Sequence, residues 1–213
     1  MSAIRVGEVR FSTAELRDLA VAWVALGVAF GILILKDPVF PDVAGALASA
    51  AFARVLLVSM LTVGVGFLLH ELAHKVVAVR FGQIAGFRAN YGMLALCVGA
   101  ALAGFLFAAP GAVYHRGRIT ERQNGLIAVA GPLTNVVLVV AFLPLSLLGG
   151  SLGDLGGLGV TINAVLAAFN MIPFGPLDGR KVRAWSTPVF AVTFVGTAAM
   201  AAAAFLFVGF PRF

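Results

Sequence analysis

The sequence predicts an all-α polytopic membrane protein with about six apolar segments, five crossing the bilayer and one, at roughly 92–109, re-entrant or strand-like. Three observations lead there. Of the 213 residues, 61% are hydrophobic and 11% charged, with a mean hydropathy of +1.04. That is too little charge to coat a soluble domain of this length. Apolar runs of about 20 residues, the length of helix that spans a hydrocarbon core, recur along the chain. The basic residues sit in short loops beside those runs, so the formal charge of +6 reads as orientation and headgroup contact, with no nucleic-acid partner.

The apolar segments fall at roughly 19–35, 55–79, 92–109, 125–148, 157–174 and 187–210. Before the first, Ser12-Thr13-Ala14-Glu15 reads as a capping box that starts a helix. That segment ends in Lys36-Asp37-Pro38 without a small-residue cleavage pattern, so it is predicted to stay as an anchor. The small-residue stretch from Val43 to Ala53 either extends the second helix or lies at the surface. The linkers hold no soluble domain, and 1–213 reads as a single membrane-embedded domain with its core at about 55–184. Cys97 is the lone cysteine, so it forms no internal disulfide and is expected as a small buried hydrophobe. Trp23 and Trp185 are expected as interface or packing aromatics.

The segment at 92–109 decides the topology, and charge arbitrates. With the N-terminus inside and this segment entering and leaving on one side, Arg5, Arg10, Arg17, Arg80, Arg88, Arg116, Arg118, Arg122, Arg180, Lys181 and Arg183 all lie inside. Only Lys36 and Arg212 lie outside, while Arg54 and Lys75 fall within a segment. A single crossing at 92–109 inverts the later loops and leaves the basic residues evenly split. The positive-inside rule selects the first arrangement.

His70-Glu71-Leu72-Ala73-His74 lies near the end of the second apolar segment. On a helix, positions i and i+4 differ by roughly 40°, so both imidazoles face one way and reach one tetrahedral metal. Glu71 is turned by roughly 100° from His70, which suits a base acting on water beside the metal. Ionisable groups inside an apolar helix are costly and default to a functional reading. Zinc needs a third protein ligand and an open position. Asp37, Asp42 and Asp154 fall in loops assigned to the outside, and Glu8, Glu15, Asp18 and Glu121 in polar segments. Asp178 alone follows directly on an apolar segment, past Pro173 and Pro176. It shares a side with the histidines only if 92–109 does not cross. Charge and metal geometry select the same topology.

These residues resemble the site-2 protease family, zinc-dependent intramembrane proteases. The family's HExxH is matched by His70, Glu71 and His74, and its NxxPxxxLDG by Asn170, Pro173, Leu177, Asp178 and Gly179. A GxxxN-like pattern is matched by Gly131 and Asn135. The resemblance, covering about 55–184, implies one Zn2+ per chain held by His70, His74 and Asp178, with Glu71 as catalytic base. It implies Asn170 beside the substrate or its oxyanion, although a helix–helix hydrogen bond explains Asn170 equally well. Asn135 is placed with the substrate-binding residues, with packing in the core as its other reading. The family's PDZ or CBS domains find no room here, which makes this a compact form. The implied substrates are single-span transmembrane proteins, met in the lipid bilayer. Compactness and the missing targeting signal point to a prokaryotic plasma membrane, and the charge count puts the active site toward the cytoplasm. A strand at Phe105 to Tyr114 is expected to hold an unwound substrate extended. His115 reads as a solvated loop histidine. Two other functions compete: a divalent-metal transporter and a catalytically silent metal-binding scaffold. The acids cluster toward one face, against transport, and a purely structural zinc site has no use for Glu71.

Overall fold

The computed structural model describes residues 3–35, 42–105 and 110–209. Among them, five helices are long and apolar enough to cross a membrane: Thr13–Ile34 (α1), Ala50–Arg80, Glu121–Ser146 (α6), Gly150–Asn170 (α7) and Thr187–Val208. The second is α3 (Ala50–Ser59) and α4 (Val65–Arg80), joined by a π turn at Met60–Gly64. The fifth is α9 (Thr187–Ala203), which ends in a π turn at Ala204–Val208. Short helices α2 (Val43–Leu47), α5 (Tyr91–Leu102) and α8 (Asp178–Trp185) lie between them. Two hairpins complete the described fold, β1 (Ala3–Val6) with β2 (Val9–Ser12) and β3 (Ile84–Ala89) with β4 (Gly111–Arg116). This is an all-α polytopic membrane protein.

The segment predicted at 92–109 folds back. Its two ends meet in one antiparallel pair, with Ala89 opposite Gly111 and the Asn90 amide donating to the Pro110 carbonyl at 3.0 Å. Between them α5 has 12 residues, which rise about 18 Å against a hydrocarbon core of about 30 Å. The described part is helical where a strand was the other expectation. Asn90 starts the helix by accepting from the Met93 amide at 3.1 Å, and Leu94, Cys97 and Ala101 bury against the α1 core. Residues 106–109 lie outside the described residues, and so does that part of the proposed strand at Phe105 to Tyr114. The described strand is β4, at Gly111–Arg116. Lys36-Asp37-Pro38 and Arg212 also lie outside.

Helix starts differ from the sequence reading by several residues. Ser12 caps α1 by accepting from the Glu15 amide at 3.1 Å, but Glu15 turns inward instead of returning to Ser12. The second crossing starts at Ala50, capped by Ser49, and leaves α2 as a separate turn. α6 starts on a full capping box between Thr120 and Gln123. α7 begins at Gly150, so Asp154 is helical and pairs with Arg54 at 2.8 Å. In the π turn at Met60–Gly64 the Val65 amide reaches back to the Met60 carbonyl. Trp23 Nε1 donates to the same Met60 carbonyl at 2.9 Å.

Candidate metal centre

Helix α4 carries His70 and His74 one turn apart on the face that packs on α6. Asp178 reaches the same point from another direction. Pro173 and Pro176 keep α7 from continuing past Asn170, and Gly175 takes a left-handed φ of 58°. The chain then enters α8, whose first residue is Asp178, a position that favours a carboxylate at a helix N-terminus. Gly179 is pressed against the Met171 carbonyl where any Cβ would clash.

The result is a tight trio. The two Nε2 atoms are 3.0 Å apart, and Asp178 Oδ2 lies 3.3 Å from that of His70 and 3.1 Å from that of His74. One ligand atom from each residue falls within 4.8 Å of the others, and all three side chains are buried. Donors around a tetrahedral zinc stand about 3.4 Å apart.

Hydrogen bonds decide where the imidazole protons sit. His74 Nδ1 lies 2.7 Å from the Ile127 carbonyl, which only accepts, so Nδ1 carries the proton. That carbonyl lies in the turn before Pro132, whose missing amide and bulky ring disturb the α6 ladder. His70 Nδ1 lies 2.6 Å from Asn135 Oδ1. Asn135 Nδ2 meanwhile donates to Asn163 Oδ1 at 2.9 Å and the Gly66 carbonyl at 3.3 Å. Both Nε2 lone pairs therefore converge on a carboxylate oxygen. Three acceptors with no proton between them repel one another, and a cation at their centre removes the conflict. Gly131 leaves room for it. A Cβ on Gly131 would stand 2.5 Å from both Nε2 atoms. Two imidazoles and a carboxylate, with no sulfur, form a donor set that zinc accepts. The residues fit the ion.

Glu71 lies outside this trio, buried beside it, as its rotation from His70 requires. Its Oε2 accepts from the Val113 amide of β4 at 3.1 Å. Lys181 Nζ stands 3.5 Å from Asp178 Oδ1. His115 sits on β4, half-buried, opposite Ala85. Burial, then the Lys181 charge, lower its pKa. It is no metal ligand among the described residues, and it belongs to a strand instead of a free loop. Asn170 Nδ2 donates to the Leu166 carbonyl of its own helix at 3.0 Å. Asn135 lies behind His70 with 0% exposure.

Over 188 residues the chain is 39% identical to the protein named Putative zinc metalloprotease MJ0611, from Methanocaldococcus jannaschii, covering 86% of this chain and 90% of that one. The chain belongs to that protein's family. The protein named Putative zinc metalloprotease YwhC, from Bacillus subtilis, is 29% identical over 148 residues, or 58% of this chain and 66% of YwhC. No protein-family model and no solved structure matches the chain.

In this family member, a second buried polar cluster lies beside the trio and escaped the sequence reading. Lys75 follows His74 and is 1% exposed. Its Nζ meets Glu15 Oε1 at 2.5 Å and the Arg10 carbonyl at 2.7 Å, above the Phe11 ring. Glu15 Oε1 also accepts from the Phe87 amide at 3.0 Å, and Asp18 Oδ2 from that of Ala89 at 3.2 Å. Glu15 and Asp18, read as residues of a polar segment, thus lie buried in α1 and hold β3. A lysine inside an apolar helix was the available signal, because such a charge demands a buried partner.

Proposed function

We propose that this protein is an intramembrane zinc endopeptidase of the site-2 protease kind, which hydrolyses peptide bonds of single-span transmembrane proteins. The observation that carries the reading is Glu71, a carboxylate beside three converging ligand atoms inside a bundle of membrane helices. A site that only stores or stiffens needs no base there. The zinc-metalloprotease names of the two relatives agree with it.

His70, His74 and Asp178 would hold one zinc per chain. When bound, the ion supplies Lewis-acid chemistry, acidifying water and polarising a carbonyl. Glu71 takes a proton from the attacking water and returns it to the departing amine. The Val113 amide fixes Oε2 of that carboxylate, so its other oxygen is the one that handles the proton. One N–H of the Asn170 amide goes to the Leu166 carbonyl, and its second N–H is the one that would meet the substrate oxyanion. Asn135 supports His70 from behind.

The hairpin supplies a docking edge. The amides of Phe87 and Val113 point away from each other, to Glu15 and Glu71. Phe87 and Val113 are therefore a non-hydrogen-bonded pair, and the amides of Gly111 and His115 share the outward edge with Val113. That edge runs past Glu71. An unwound substrate adds to it as a strand, which presents its peptide bonds to the site.

With the loops oriented by their positive charge, the site opens to the cytoplasmic side of a prokaryotic plasma membrane. The test is cleavage of a purified transmembrane substrate in detergent or liposomes. Glu71→Gln is expected to abolish cleavage while zinc content stays near one per chain. Cleavage by that variant at the rate of the parent protein would overturn the proposal.

A further inference from the structure

Two asparagines stand in line behind His70, and only the nearer one belongs to a motif. Asn163, in the middle of α7, is 0% exposed. Its Nδ2 donates to the Gly159 carbonyl at 2.8 Å, and its Oδ1 accepts from Asn135 Nδ2 at 2.9 Å. Asn135 Oδ1 in turn faces His70 Nδ1 at 2.6 Å. Gly66, one turn before His70, makes the approach feasible, because a Cβ there would stand 2.5 Å from Asn163 Oδ1.

We infer that Asn163 is a positioning residue for the metal centre, setting the tautomer of His70 through Asn135. This rests on the zinc reading above. A primary amide has an oxygen that accepts and a nitrogen that donates, so each amide in the line passes on a direction. The line starts at a backbone carbonyl, which never donates. Asn163 must turn its nitrogen to Gly159 and its oxygen to Asn135. Asn135 must then turn its nitrogen to Asn163 and its oxygen to His70. The oxygen calls for a proton on Nδ1 and leaves the Nε2 lone pair for the ion. A ring with its proton on Nε2 has no lone pair to offer there. Three helices, α7, α6 and α4, contribute one group each.

An asparagine at a helix contact also serves as plain glue between helices, which affects stability and nothing else. The two roles separate on the imidazole. In metal-free protein carrying 15N-labelled histidine, His70 is expected to keep its Nδ1 protonated, whatever proton Nε2 takes up in place of the ion. In Asn163→Leu the Asn135 amide keeps only its longer bond to the Gly66 carbonyl, 3.3 Å against the 2.9 Å bond it loses, so its direction is held less firmly and the share of His70 without a proton on Nδ1 rises. His74 is the internal control: its proton is fixed by the Ile127 carbonyl and keeps its place in both proteins. Zinc affinity, read by competition with a chromophoric chelator, is expected to fall roughly 10-fold or more, the usual effect of losing a partner behind a ligand. Where the leucine variant fails to fold, Asn163→Ala replaces it. In an Asn135→Leu background, Asn163→Leu adds no further loss. An unchanged His70 tautomer in Asn163→Leu, whether or not affinity falls, overturns the inference. So does a second, additive loss in the double variant. Neither readout involves proteolysis, so a protein that binds zinc yet cuts nothing sinks the protease reading alone.

Discussion

Replacing Gly131 with alanine adds one methyl group at the point where α6 meets both metal-facing nitrogens. The new Cβ would stand 2.5 Å from His70 Nε2 and 2.5 Å from His74 Nε2. Carbon and nitrogen need about 3.4 Å, so the overlap is about 0.9 Å on each ring. Neither ring retreats freely, because each Nδ1 is held, one by Asn135 and one by the Ile127 carbonyl. Overpacking of this kind costs about 1–3 kcal/mol, which corresponds to zinc binding weaker by roughly 5- to 150-fold. Helix propensity acts the other way, since alanine gains about 1 kcal/mol over glycine. The metal-free variant should therefore lose at most about 2 kcal/mol of stability, while rings pushed off their places hold zinc less tightly. Chelator competition on detergent-purified protein reads the affinity, and thermal unfolding of the metal-free form reads the fold. Gly196→Ala is the control, because a Cβ there meets nothing within 4 Å. Gly131→Ala protein with the affinity of the Gly196→Ala control would refute the reasoning.

Asp178→Asn keeps the shape and removes the charge that the two imidazoles face, so metal analysis should find little zinc after dialysis. Zinc near one per chain would argue for another third ligand. Lys75→Met leaves the Glu15 carboxylate buried without its cation, at a cost of about 3–5 kcal/mol. The unfolding temperature should drop, and adding Glu15→Gln should recover part of it; a further drop in the double variant would contradict the pairing. His115→Pro removes one outward amide of β4 and spares the β3 ladder, a loss of about 1 kcal/mol. Cleavage of a helical substrate should fall by roughly fivefold and that of an already extended peptide by less; equal losses would count against strand addition.

Much of this was legible in the sequence because it depends on spacing along one helix or on charge summed over loops. His70 and His74 share a face by periodicity, and Asp178 is displayed by two prolines and a glycine. The fold-back of 92–109 followed from where arginines sit, although its helical form did not. Glycine-rich apolar residues suit a strand or a short helix, and the choice was made by the Asn90 cap and by packing on α1. What escaped depends on the register between helices. Asn163 touches Asn135 from 28 positions away, and Glu15 reaches Lys75 across 60. Nothing local marks the asparagine pair, and Lys75 marks only the need for a buried acid without saying which one. Ser12-Thr13-Ala14-Glu15 was half legible: the serine caps, while the glutamate is drawn off by a buried lysine.

The carboxylates that α1 presents to β3 have an effect on how copies of the protein meet one another. Bare strand margins are what let neighbouring chains zip together, and crowding in a two-dimensional sheet of lipid raises the chance of collision. Here the amides of Phe87 and Ala89 are already taken up by Glu15 and Asp18, so that margin has fewer donors to offer a colliding neighbour. Self-association through the hairpin is thereby discouraged on the flank that has no part in turnover.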